Sequence, residues 1–153
     1  MTSANASMFQ RWTGGSLGIL ARSVSFGLLS GWTAAVILYA SLNDFTFWIN
    51  HINVLVLVSL LYFLFSVSAP VIVVGLTVHL MLVIGRASGW KTYVAAGAIT
   101  GVTGLLVLDN IFGLSSMDAE IRRMYSPDVC AFAGSVCAIT FWLSLRPDRG
   151  PRA

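Results

Sequence analysis

Between Ala69 and Leu108 two apolar runs, APVIVVGLTVHLMLVIG and TYVAAGAITGVTGLLVL, are separated only by the hexapeptide RASGWK. A water-soluble domain has to bury both runs, whereas a bilayer accepts both and leaves Arg86 and Lys91 in water. The rest of the chain favours the bilayer. Only 10% of the 153 residues are charged and 57% are hydrophobic, with mean hydropathy +0.83. Soluble domains carry about 25% charge, because charge is what covers a wetted surface. The sequence therefore reads as an all-α integral membrane protein with a single compact unit.

Four spans are expected. The first, 24–42, has 19 uncharged residues and would cover roughly 28 Å, close to the ~30 Å hydrocarbon core. It is longer than a signal-peptide apolar region, so it is read as uncleaved. The second, 54–85, would reach roughly 48 Å as one helix. Pro70 near its middle removes a backbone donor and clashes with the preceding turn, so one kinked and tilted span is preferred to a re-entrant segment. The third is 92–108, closing at Asp109 and Asn110. The fourth is 128–145, with Ser126 as its N-cap and Pro127 in its first turn.

Outside the spans, residues 1–22 read as an interfacial segment in which Gly14 and Gly15 disfavour a firm helix. Residues 43–53 carry Phe45, Phe47 and Trp48, aromatics suited to the headgroup layer. A short helix is expected between Ser115 and Tyr125, and residues 146–153 read as a disordered tail.

Orientation follows from the basic residues. Seven of the nine, Arg11, Arg22, Arg86, Lys91, Arg146, Arg149 and Arg152, fall in the N-terminal segment, the 86–91 loop and the tail. The positive-inside rule places these, and both termini, in the cytoplasm, in agreement with an even number of spans. Small size, short loops and this asymmetry suggest a bacterial inner membrane. The net charge of +3 does not point to nucleic acid, because the basic residues mark helix ends and form no patch or stripe. No internal repeat supports an inverted-repeat transporter.

Within the spans, small residues recur at helical spacing. Gly27, Gly31, Ala34 and Leu38 share a face, as do Gly97, Gly101, Gly104 and Leu108, and Cys130, Gly134, Cys137 and Phe141. Apolarity cannot drive helix pairing among lipid tails, but close backbone approach can, so Gly27, Gly31, Gly97, Gly101, Gly104 and Gly134 are the expected helix-packing positions. Packing within one bundle is preferred to their use in a homodimer or against a larger partner.

His79 is the ionisable side chain deepest in a span. With Ser68 and Thr77 it is the candidate polar site of the membrane interior. A neutral histidine bonded to a carbonyl or serine is preferred to a proton relay or a haem ligand. His51, the other histidine, belongs to the opposite side and cannot clamp one haem with His79. Cys130 and Cys137 lie about 10 Å apart on one helix, too far to pair, and read as packing residues. No nucleophile elbow, zinc motif, phosphate loop or carboxylate pair is present in the sequence, so neither enzyme activity, cofactor nor metal is expected. The function expected is that of a non-enzymatic accessory or structural subunit or homo-oligomer. The alternative is a small transporter or pore lined by Ser68, Thr77, His79 and Thr100. A membrane-embedded redox or haem protein ranks below both.

Overall fold

The computed structural model describes residues 13, 16–42, 60, 68–112 and 126–147. All regular structure among them is α-helical. The four helices are α1 (Leu17–Leu42), α2 (Ser68–Ile84), α3 (Trp90–Phe112) and α4 (Pro127–Leu145). Two of them, α1 with 26 residues and α4 with 19, are long and apolar enough to cross a membrane. The expected interfacial turn at 43–53, the helix at 115–125 and the tail beyond Pro147 lie outside the described residues, as do His51 and residues 61–67 before Pro70.

Local chemistry sets the helix ends. Ser16 caps α1: its hydroxyl accepts from the Ile19 N–H at 3.2 Å and its carbonyl from Leu20 at 3.2 Å. The cap lets α1 start at Leu17, ahead of the span expected from Val24, and so places Arg22 within the helix. Pro70 is the third described residue of α2, and the kink expected there involves residues 61–67, which lie outside the described residues. α3 runs on through Asp109 and Asn110. The Asn110 amide donates back to the Leu106 carbonyl at 2.8 Å, so the pair does not stop the helix. At α4, Ser126 has the extended backbone of an N-cap (φ −67°, ψ 149°) and Pro127 opens the helix. The Ser126 hydroxyl makes no capping bond there.

The turn between α2 and α3 is a Schellman motif. Arg86 takes a left-handed conformation (φ 57°), its N–H donates to Val83 at 3.2 Å, and Ala87 donates to Leu82 at 2.9 Å. α4 ends in the related one-bond form. Arg146 is left-handed (φ 50°) and donates to the Trp142 carbonyl at 2.7 Å.

α4 is the central element, packed against both α1 and α3, while α2 rests mainly on the start of α3. Contacts run in opposite order along each pair. Ser23 meets Ser144 and Gly31 meets Ala133, while Tyr93 meets Phe141 and Gly101 meets Cys130. Both α1 and α3 are therefore antiparallel to α4. The start of α1, the α2–α3 turn and the end of α4 share one end of the bundle. Among the described residues Arg22, Arg86, Lys91 and Arg146 collect there, and Asp109 and Asp128 stand at the other end.

Candidate functional site

Among the described glycines, the closest helix approaches are backbone on backbone. A Cβ added at Gly97 would collide with the Gly134 carbonyl, one at Gly134 with the Gly97 carbonyl, and one at Gly101 with the Cys130 carbonyl. Across the α1–α4 seam the fit is looser: a Cβ on Gly31 would stand 2.9 Å from Cβ of Cys137, and one on Gly27 3.1 Å from the Cys137 carbonyl. The stripes that α4 offers to α3 (Cys130, Gly134, Ala138) and to α1 (Ala133, Cys137) lie roughly 80° apart around its axis. One helix of small residues thus serves two partners. Gly104 is different from the other expected packing glycines. A Cβ there meets nothing within 4 Å, because α4 has barely begun one turn beyond the Gly101–Cys130 crossing.

His79 is 2% exposed, and its Nδ1 lies 2.6 Å from the hydroxyl of Tyr93, itself 3% exposed. With the neutral ring protonated at Nε2, the hydroxyl donates and Nδ1 accepts. Phe141 of α4 completes the cluster. It meets the imidazole edge-on at 5.0 Å between centroids and stacks with Tyr93 at 6.5 Å. The polar site expected from Ser68, Thr77 and His79 is not assembled. Thr77 lies on the other side of α2, exposed, with its hydroxyl donated to Val73 at 2.8 Å, and Ser68 is three turns away. Thr100 likewise donates to its own helix, to Ala96 at 2.8 Å. Tyr93 is the partner that sequence reasoning missed. The hairpin itself carried the signal, since His79 and Tyr93 are equidistant from Arg86 along the chain and an antiparallel pair brings such residues together.

A second polar cluster closes the basic end. The Trp142 indole N–H donates to the Ser88 carbonyl at 2.7 Å, pinning the α2–α3 turn to α4, and the Arg146 guanidinium lies over the same ring, 4.7 Å from its centroid. The Ser23 hydroxyl on α1 donates to the Ile19 carbonyl at 2.8 Å and stands 3.0 Å from the Ser144 hydroxyl on α4, from which it can accept. Lys91 lies over Trp90 at 5.8 Å and Arg22 over Phe26 at 5.4 Å.

Among the described residues no three of His, Cys, Asp and Glu are placed to share a metal ion, and Cys130 and Cys137 are free thiols. The chain matches no family model, no curated protein and no solved structure.

Proposed function

We propose that this chain is a four-span membrane protein, with both termini and the basic end in the cytoplasm, that works by packing rather than by catalysis. It serves as a structural or accessory subunit, assembled with further copies or with a larger membrane protein in a bacterial inner membrane. The observation that carries the reading is the large apolar surface turned outward around backbone-close helix contacts. The closest helix approaches described are at Gly27, Gly31, Gly97, Gly101 and Gly134, while Phe26, Leu29, Ile37, Val73, Met81, Ile99, Leu106, Phe132 and Leu143 point outward from all four helices. A soluble core helix is mostly buried, yet in the most apolar stretches of α1 and α4 only 22% and 17% of residues are. Lipid is the solvent that accepts such a surface, and it leaves close backbone contact as the force that joins helices.

The exposed hydroxyls support the same solvent. Ser25, Thr33, Ser41, Thr77 and Thr103 each donate to a carbonyl one turn back in their own helix. That bond satisfies a hydroxyl that hydrocarbon cannot. The four cations gathered at one end are the arrangement that the positive-inside rule requires.

Two measurements test the proposal. After alkaline carbonate washing the protein is expected in the membrane pellet, and recovery in the supernatant would overturn the membrane reading. In mild detergent the protein component is expected to exceed the 16.5 kDa of one chain. A lone monomer at native abundance would overturn the subunit reading.

A further inference from the structure

We infer that the basic end of the bundle is a binding site for the phosphate headgroup of an anionic membrane lipid, built around the C-terminus of α4. The inference rests on the membrane reading above and adds a ligand to it. Three contacts draw the site together. Trp142 holds the α2–α3 turn through the Ser88 carbonyl and carries the Arg146 guanidinium on its ring. The turn brings Arg86 and Lys91, two and three residues from Ser88. Ser23, bonded to Ser144, brings its neighbour Arg22 from α1. Four cations, one from α1, one from the α2–α3 turn, one from α3 and one just past α4, thus lie at one end of the bundle, and no carboxylate stands at that end among the described residues. Arg22, Arg86 and Lys91 are exposed and Arg146 half-buried, with Trp90 exposed beside them. Exposed tryptophan next to cations is the composition of the headgroup layer, where the ligand would lie.

The backbone adds a second, independent indication. Arg86 and Arg146 are the non-glycine residues with positive φ among those described, and both are helix-terminating positions at which glycine is the favoured residue. The chain has 14 glycines, one of them at position 85, yet it places an arginine at each left-handed site. Glycine would make either turn at lower conformational cost, so what each position keeps is a guanidinium. Guanidinium forks pair with phosphate oxygens in bidentate geometry.

The glycine preference also supplies the test. Full-length protein in detergent is titrated with phosphatidylglycerol, phosphatidylcholine or inorganic phosphate, and bound lipid is counted by native mass spectrometry. The wild type is expected to retain phosphatidylglycerol at least about tenfold better than phosphatidylcholine. Arg86→Gly/Arg146→Gly keeps both turns and is expected to lose roughly 30-fold in phosphatidylglycerol affinity, about fivefold per cation. Arg22→Gln/Lys91→Gln, which touches no inter-helix hydrogen bond, is expected to lose a similar factor with an unchanged melting temperature. Equal retention of the two lipids, or full phosphatidylglycerol binding by both double variants, would overturn the site. Displacement of the lipid by equimolar inorganic phosphate would overturn the lipid as its source. Flotation with vesicles is scored separately. Failure to float would overturn the membrane reading, whereas flotation without headgroup preference would overturn this inference alone.

Discussion

At the scale of single residues, the glycines are not equivalent, and their differences are measurable. At Gly97 and Gly134 the obstacle to a side chain is the carbonyl of the facing helix, which cannot rotate away as a side-chain tip can. Gly97→Ala and Gly134→Ala are each expected to cost about 2 kcal/mol in reversible unfolding in detergent, as overpacked interiors do. Gly104→Ala, facing open space, is expected to be neutral or to gain up to about 1 kcal/mol of helix propensity. Equal losses at the three positions would remove backbone contact as the cause. The tryptophans form a similar pair. The Trp142 indole N–H is bonded to Ser88, whereas the Trp32 indole N–H is buried without a partner. Trp142→Phe is therefore expected to lower stability by about 1 kcal/mol or more, and Trp32→Phe to leave it nearly unchanged. For His79 and Tyr93 a double-mutant cycle with Phe at each position is expected to return a coupling of about 1 kcal/mol, in the range of hydrogen bonds between membrane helices. Zero coupling would mean that the 2.6 Å contact contributes nothing.

At the scale of helices, α4 packs against both α1 and α3 through two adjacent stripes, and much of it was legible in the chain. The spacing of Gly97 and Gly101, and of Cys130, Gly134 and Cys137, marks a face that permits close approach. That periodicity says where a helix can be approached, but carries no information about which helix approaches. α4 meeting two partners on adjacent stripes depended on Ala133 and Ala138, which are ordinary in composition and became informative only through their neighbours. Gly104 continues the stripe in sequence, but the partner helix begins too late to meet it. The His79 cluster was hidden for another reason. Tyr93 looks like the aromatic edge of a span beside Lys91, and Phe141 like one more apolar residue of α4. Only the antiparallel hairpin and the α3–α4 crossing bring them to the imidazole. Helix order can be checked covalently. With Cys130 and Cys137 replaced by alanine, Ser23→Cys/Ser144→Cys is expected to form an intramolecular disulfide on mild oxidation, since the two hydroxyls stand 3.0 Å apart. Absence of the cross-link would place α1 elsewhere.

At the scale of the whole molecule, the central claim is that a bilayer is the solvent, with the basic end on its cytoplasmic side. Glycines at the closest helix contacts, many large apolar residues turned outward and cations gathered at one end are the arrangement that this claim explains together. The composition indicated the first part. The gathering of Arg22, Arg86, Lys91 and Arg146 follows from alternating helix direction once the spans are placed. Site-specific labelling tests the claim most directly. In a cysteine-free background, Lys91→Cys and Asn110→Cys place one thiol at each end of α3. They are treated with a membrane-impermeant maleimide in right-side-out and in inverted inner-membrane vesicles. The account predicts that position 91 reacts only in inverted vesicles and position 110 only in right-side-out ones. Reaction of both positions from the same side, or equal reaction in a soluble fraction, would contradict it.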